Sequence, residues 1–98
     1  MKRSLVFLSL LVSFPVAAQN LQTGSALARR WCTSCHVVEA NQRLATDSAP
    51  SFRAIAGRPD TTAATIDRYL SRGHTLMPDF SLSTPERDAL VAYILSLR

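Results

Sequence analysis

The feature that most constrains this chain is the segment RRWCTSCHVV, residues 29–38, which holds both cysteines of the chain and one of its two histidines. Cys32 and Cys35 are three residues apart, and His36 follows directly. Side chains three or four residues apart on a helix share one face, so these three can meet one flat ligand together. The fold is therefore expected to form around the ligand that this segment binds.

Two cysteines and an adjacent histidine at this spacing are the recognised signature of c-type haem attachment. Each cysteine thiol adds to a haem vinyl group as a thioether, and the histidine reaches the iron as its proximal ligand. Covalent attachment also keeps the cofactor in an open compartment outside the cytoplasm, where a detached haem would be lost. The sequence therefore predicts one haem c, with its iron, attached through Cys32 and Cys35 and bound by His36.

Three other uses of the cysteines remain open from the residues alone. A structural zinc ion takes four cysteine or histidine ligands, and the fourth ligand here would be the distant His74. A thioredoxin-like redox pair begins a helix after a strand, but no strand pattern precedes Cys32. A disulfide across so short a loop would contribute little, because its stabilisation grows with the size of the loop. Haem attachment is favoured over all three.

The N-terminal residues predict export. Two basic residues precede an apolar stretch, residues 5–14, and small residues follow, which is the pattern of a secretory signal peptide. A permanent membrane anchor is disfavoured because about 20 apolar residues are needed to cross a bilayer. We expect cleavage after Ala18, so that residues 1–18 form the leader. Residues 19–98 would then form one monohaem cytochrome c domain in the periplasm, with no membrane span.

Loss of the leader changes the charge that bears on partners. The chain has 11 basic and seven acidic residues, and removal of Lys2 and Arg3 leaves nine basic residues, all arginines. The mature net charge is therefore about +2. The arginines are scattered from Arg29 to Arg98, without the basic block that is typical of nucleic-acid binding. We expect no nucleic-acid partner, and the arginines could dock an acidic redox protein.

Helical signals dominate the rest of the chain, and no alternating strand pattern occurs. The first helix is predicted to follow Gly24 and to run into the cysteines, and a middle helix to stop at Gly73. A last helix is predicted from a capping box formed by Ser83 and Glu86. A domain of this size buries only about 60% of its unfolded surface, so a bound cofactor would supply much of its core.

Two apolar stretches, residues 48–60 and 73–80, lack a regular pattern and are expected to wrap around the ligand. The second contains Met77, the only methionine that remains once Met1 is removed. A thioether opposite histidine raises the potential of haem iron and suits electron transfer. Met77 is therefore the expected sixth ligand. A competing ligand, His74, and ordinary core packing of the methionine remain as alternatives.

Residues 22–98 contain three motifs in a characteristic order: CTSCH, APSFRAIAGR and MPDFSLSTPERDALVAYILSL. With these motifs the chain resembles the class I cytochromes c, small periplasmic proteins with a single haem. The resemblance implies an all-α cytochrome c fold, with three or more helices and loops around one covalently attached haem. It implies that Cys32 and Cys35 attach the haem. It also implies that His36 and Met77 are the axial ligands of the iron.

The resemblance implies further roles that the residues alone do not. The Pro50 carbonyl would accept a hydrogen bond from the second ring nitrogen of His36, which orients the imidazole and raises its basicity. Arg58 would lie near a haem propionate. Gly24 and Tyr93 would mark the place where the first and last helices cross.

These expectations define one function and two alternatives. An iron that keeps both axial ligands in both oxidation states has no open site for a substrate, so we expect one-electron transfer and no enzyme activity. The chain would be a diffusible periplasmic carrier between two redox proteins, a monomer unless it joins a redox complex. It could instead be a dedicated haem subunit of an extracytoplasmic dehydrogenase or oxidase, or a haem enzyme or gas sensor with an open sixth site.

Overall fold

The structure, a computed structural model, describes residues 7–13, 15–42, 48–74 and 76–98. Its regular elements are α1 (Val16–Trp31), α2 (Phe52–Ala56), α3 (Ala63–Arg72) and α4 (Thr84–Leu95). Within those ranges no β-strand is present, and His74 forms an isolated bridge with Met77. The prediction of an all-α fold with three or more helices is confirmed.

The long helices α1 and α4 pack against each other and frame the domain. They approach most closely at Gly24, where an added Cβ would lie 2.7 Å from the Cβ of Tyr93 and against the Ala89 carbonyl. Ala28, one turn further along α1, has no exposed surface. The predicted helix crossing at Gly24 and Tyr93 is therefore present, and it leaves no room for a larger side chain at Gly24.

Helix α1 begins at Val16, well before the start predicted after Gly24. The residues between them include alanine, leucine and glutamine, which favour helix, and Gly24 serves the helix crossing instead of marking a boundary. The predicted cleavage after Ala18 falls inside α1 and stays a prediction, and residues 1–6 and 14 of the leader lie outside the described residues. Among the helices described, none is long and apolar enough to span a membrane.

Helix α4 begins with the predicted capping box. The Ser83 hydroxyl accepts a hydrogen bond from the Glu86 amide at 3.3 Å, and the Glu86 carboxylate accepts one from the Ser83 amide at 2.9 Å. The hydrogen bond from the Ser83 backbone is the main reason that the pKa of the Glu86 carboxyl lies below its usual value. Helix α3 has an equivalent box, and it ends at Gly73 as predicted, with a φ of 64° at that glycine.

Helix α2 lies in residues 48–60, where no regular structure was predicted, so that expectation is wrong for Phe52–Ala56. The Ser51 hydroxyl caps this helix by accepting a hydrogen bond from the Ala54 amide at 3.0 Å. Five residues are too few for an apolar period to emerge from the sequence. The short helix turns the Phe52 side chain into the core.

The core joins all four helices to the segment that follows α1. Its buried members are Ala28, Cys32, Val38, Phe52, Ala56, Ile66, Leu70, Leu90, Val91, Tyr93 and Ile94. Met77 is half-buried and packs against this cluster. Trp31, in contrast, is 41% exposed and lies 5.6 Å from the Phe80 ring, measured between ring centroids. Trp31 therefore lies outside the buried core.

Candidate haem site

The cysteine pair lies immediately after α1, in two overlapping turns. The amides of Cys35 and His36 both donate to the Cys32 carbonyl, at 3.2 and 2.9 Å. Helix α1 ends at Trp31 and therefore runs into the cysteine pair as predicted, and the cysteines themselves lie in the turns beyond its last residue. The hydrogen bond between His36 and Cys32 nevertheless keeps the helical spacing of four residues, on which the shared face of these side chains depends.

The imidazole of His36 is held by the carbonyl that the resemblance implied. The Nδ1 atom of His36 lies 2.5 Å from the Pro50 oxygen. A carbonyl can only accept a hydrogen bond, so Nδ1 carries the proton and Nε2 has its lone pair available. This is the tautomer that a metal-binding histidine needs, because the hydrogen bond of Nδ1 fixes the ring while Nε2 can bind the metal.

The backbone around this histidine is held by a facing stretch of the loop that precedes α2. We call residues 32–38 together with residues 49–52 the histidine segment. The Ala49 amide donates to the Cys35 carbonyl at 3.2 Å, and the Phe52 amide donates to the Val37 carbonyl at 2.9 Å. With the contact between His36 and Pro50, the two sides of the segment are joined at three successive places.

Two side chains outside the segment complete this framework. The Gln42 amide group accepts from the Val38 amide at 2.8 Å and donates to the His36 carbonyl at 3.1 Å. The buried Tyr93 hydroxyl donates to the Val38 carbonyl at 2.6 Å and so ties the segment to α4. Sequence reasoning identified Tyr93 only for the helix crossing and missed Gln42, because a side-chain amide in a loop forms no recognisable motif.

The two cysteine thiols are not joined and differ in their surroundings. Cys32 is buried and Cys35 is exposed. Burial, with a smaller contribution from the neighbouring Cys35, raises the pKa of the Cys32 thiol to about 11. Since the thiolate is the reactive form of cysteine, Cys32 is protonated and weakly nucleophilic at neutral pH, although it lies on the cavity wall.

Two pockets that share five lining residues open beside the histidine segment, and we treat them as two lobes of one cavity. The first, the Trp31 lobe, encloses about 460 Å³ and is also lined by Cys35 and Phe80. The second, the Arg58 lobe, encloses about 440 Å³ and is also lined by Phe52 and Ile94. Both lobes share Cys32, His36, Pro50, His74 and Met77. Each lobe falls in the range of about 300–1,000 Å³ that is usual for small-molecule sites, and its lining is mostly apolar, as such sites are.

Residues 73–83, which we call the methionine loop, bring Met77 to this cavity. The loop turns back on itself at Gly73, where a Cβ would lie 3.0 Å from the Met77 oxygen and 2.9 Å from the Asp79 nitrogen. The backbones of His74 and Met77 exchange two hydrogen bonds, of 3.1 and 2.6 Å. Further along, the Asp79 carboxylate accepts from the Ser81 amide at 2.8 Å. Of this loop, Thr75 lies outside the described residues.

The structure places the six predicted site residues around one cavity. Cys35 borders the Trp31 lobe alone and Arg58 borders the Arg58 lobe alone, while the other four border both. His74, the competing ligand, also borders both lobes. It is exposed, and its ring centroid lies 4.7 Å from that of Tyr69. Both candidates for the sixth ligand are thus within the same cavity wall.

The donor set at this cavity can be tested against the alternatives. Among the described residues, no three His, Cys, Asp or Glu side chains converge in a way that could hold a metal ion, so the zinc alternative lacks its ligand cluster. The cysteines follow α1 instead of starting a helix, so the thioredoxin-like arrangement is absent too. A haem fits better, because the site combines paired thiols, an oriented imidazole, a thioether and an apolar cavity.

Comparison with known proteins gives two matches. The family model described as "Cytochrome C oxidase, cbb3-type, subunit III" matches residues 19–94. Cytochrome c-552 of Bradyrhizobium diazoefficiens is 45% identical over 75 residues, which cover 76% of this chain and 72% of that relative. No solved structure matches the chain significantly.

Proposed function

The chain belongs to the c-type cytochromes, in the domain family of cbb3-type cytochrome c oxidase subunit III, and we propose that it is a diffusible one-electron carrier in the periplasm. Members of this family carry covalently bound haem c and act with redox partners. The observation that supports the proposal most is the shared cavity wall, because the cysteines of the attachment motif, His36 and Met77 all border one apolar cavity.

Within this proposal, Cys32 and Cys35 attach the cofactor as thioethers. Bound haem c supplies an iron that alternates between the ferric and ferrous states, one electron at a time. His36 presents Nε2 to the site because its Nδ1 is engaged by Pro50. That hydrogen bond fixes the ring plane and raises the basicity of the ligating nitrogen. Met77 would bind the iron as the second ligand from the chain, and its thioether would favour a high potential.

The remaining residues at the cavity set its polarity. Phe52, Ile94 and Phe80 keep water away from the site, which favours the less charged state of a bound redox centre. Arg58 borders one lobe and is exposed, so we assign it to a propionate. If His36 and Met77 both hold the iron, no position would be left for a substrate, so we propose that the domain by itself has no enzyme activity.

The attachment chemistry can be tested by mass and by retention of haem. We expect the wild-type chain matured with a haem-attachment system to carry one haem through denaturing electrophoresis. Cys32→Ser and Cys35→Ser each remove one thioether, and the double variant should lose covalent haem completely. Full retention of haem by the double variant would contradict the assigned attachment sites.

The electron-transfer role is tested by a redox titration. A one-electron carrier should titrate reversibly with the slope of a single-electron couple, and its reduced form should not bind carbon monoxide. Ready binding of carbon monoxide by the reduced wild type would favour the enzyme or gas-sensor alternative. That result would mean that the sixth position is open.

We propose that residues 1–18 direct export and are removed, in keeping with a family that is typically extracytoplasmic. Periplasmic protein should then begin at Gln19, which intact mass measures directly. A dedicated haem subunit is the second candidate, because the matching family is described by the name of an oxidase subunit. Stable co-purification with one enzyme complex from native membranes would favour the subunit, and recovery of the chain alone would favour the carrier.

A further inference from the structure

The methionine loop is held at its far end by one arginine that the assigned site does not include. Arg87, on α4, donates through Nη1 to the Leu82 carbonyl at 2.8 Å. Through Nε it donates to the Asp67 carboxylate of α3 at 2.9 Å, and through Nη2 to the Thr84 hydroxyl at 3.3 Å. Three nitrogens of a single guanidinium therefore join the loop end, α3 and the start of α4.

The Arg87 side chain is largely buried and has several acceptors, which distinguishes its contacts from an ordinary surface ion pair. Its side chain is only 20% exposed, while that of its partner Asp67 is 45% exposed. A planar guanidinium holds several acceptors in a fixed geometry. Leu82, whose carbonyl it holds, is half-buried and packs against the core. The end of the methionine loop is thus fixed by one directed polar contact and one apolar contact.

We propose that Arg87 is a positioning residue for Met77. It fixes the end of the methionine loop just as Gly73 fixes the start, and a loop fixed at both ends presents Met77 to the cavity at a lower entropic cost. This inference rests on the proposed ligation by His36 and Met77. Without Arg87 the loop samples more conformations in which Met77 has left the cavity.

A small external ligand measures this directly, because it can bind the sixth position only when Met77 has left. Its apparent affinity rises with the fraction of molecules in the open state. We would titrate the oxidised holoprotein with imidazole and follow the far-red sulfur-to-iron band. For Arg87→Gln we expect imidazole to bind about ten times more tightly than to wild type, because the open fraction rises by about that factor.

Arg98 provides a matched control. It also joins separate elements through backbone carbonyls, since it donates to the Ala56 oxygen at 3.0 Å and to the Thr61 oxygen. Its contacts tie α2 to the start of α3, away from the methionine loop. Arg98→Gln should lower the concentration of guanidinium chloride at which half of the helix signal is lost, as Arg87→Gln does. It should change the affinity for imidazole by less than about twofold.

Asp67→Asn serves as the second variant, because it weakens one contact of Arg87 and retains the contact with Leu82. It should tighten imidazole binding less than Arg87→Gln does, and it provides the readout if Arg87→Gln fails to fold. Equal changes of affinity in Arg87→Gln and Arg98→Gln, or no change in Arg87→Gln and Asp67→Asn, would overturn the inference. A wild type without the sulfur-to-iron band would instead overturn the proposed ligation itself.

Discussion

The histidine segment and the methionine loop border the same cavity but are held in different ways. Backbone hydrogen bonds join the two stretches of the histidine segment to each other, and further hydrogen bonds tie the segment to Gln42 and, through Tyr93, to α4. The hydrogen bonds of the methionine loop lie mostly within the loop, and Arg87 fastens its far end. The histidine segment is therefore part of the framework of packed helices, which we call the frame. The methionine loop, in contrast, is attached to that frame at its ends.

This difference assigns the two sides different roles in a haem protein. In the proposed function, the rigid histidine segment, or histidine side, would keep the two cysteines and the His36 imidazole in one geometry. A loop held near its two ends can release its ligand without unfolding the helices, since local opening costs less than global unfolding where contacts are few. We therefore expect the methionine side to yield first under every perturbation that does not touch the helix crossing.

The largest effect is expected for Gly24→Val. This change damages the crossing of α1 and α4, on which the histidine segment and the methionine loop both depend, so both should be affected equally. Its side chain would collide with Ala89 and with the Cβ of Tyr93. Overpacking of this kind should cost at least about 3 kcal/mol, so haem retention and helix content should fall together. Thermal unfolding followed by circular dichroism measures this.

Gly57→Ala is the control for that variant. A Cβ at this position would meet only ordinary contacts, 3.4 Å from the Arg53 oxygen and 3.8 Å from the Ala54 oxygen. The φ of −79° at Gly57 also suits alanine. Its unfolding temperature should stay close to that of wild type. An equal loss in both glycine variants would mean that the helix crossing is not the cause.

Gly73→Ala should affect the methionine side selectively. Its φ of 64° and ψ of 165° belong to a region that only glycine enters easily, and an added Cβ would press on Asp79 and Met77. The strain should cost about 2 kcal/mol and be relieved by displacement of the loop. We expect a weaker sulfur-to-iron band and tighter binding of imidazole, while far-ultraviolet circular dichroism at room temperature is unchanged.

Tyr93→Phe should affect the histidine side. It leaves the buried Val38 carbonyl without its hydroxyl donor, which should cost about 1.5 kcal/mol. Because this contact belongs to the frame, the denaturant midpoints for loss of the sulfur-to-iron band and of the helix signal should both fall by the same amount, so that the separation between them stays as in wild type. Loss of the band well before the helices, beyond the separation seen in wild type, would contradict the assignment of Tyr93 to the frame.

Glu86→Gln should have the smallest effect, and that effect should depend on pH. The folded state lowers the pKa of Glu86, so the charged form stabilises the protein above the unfolded pKa, near 4.5. This contribution is lost as the pH falls through the lower folded value. Wild type should therefore exceed Glu86→Gln in unfolding temperature at pH 7, and the two should converge as the pH falls through the lowered pKa of Glu86 in the folded state. In a Ser83→Ala background the difference at pH 7 should shrink.

The sequence predicted those features that local patterns encode. The attachment motif, the capping box of α4 and the stop of α3 at Gly73 each depend on residues within a few positions of one another. Helix α2 escaped prediction because five residues show no period, and the start of α1 was misplaced because Gly24 serves a contact with Tyr93, far along the chain.

Parts of the site could not be predicted because they depend on contacts between residues that are far apart in the chain. Arg87 meets Asp67, which lies 20 residues earlier in the chain, and no local pattern announces such a contact. The exposure of Trp31 depends on where α1 ends, and the ends of helices are less regular than their interiors. The hydrogen bond between His36 and Pro50 was anticipated only through the resemblance to class I cytochromes c.

Ligation of the iron by His36 and Met77 together is tested most directly by a near-infrared spectrum of the oxidised protein. We would compare wild type with Met77→Ala and His74→Ala, all matured with a haem-attachment system. We expect a sulfur-to-iron band in wild type and in His74→Ala, and its loss in Met77→Ala. A wild-type spectrum without that band, or a Met77→Ala variant that retains it, would contradict the proposed ligation.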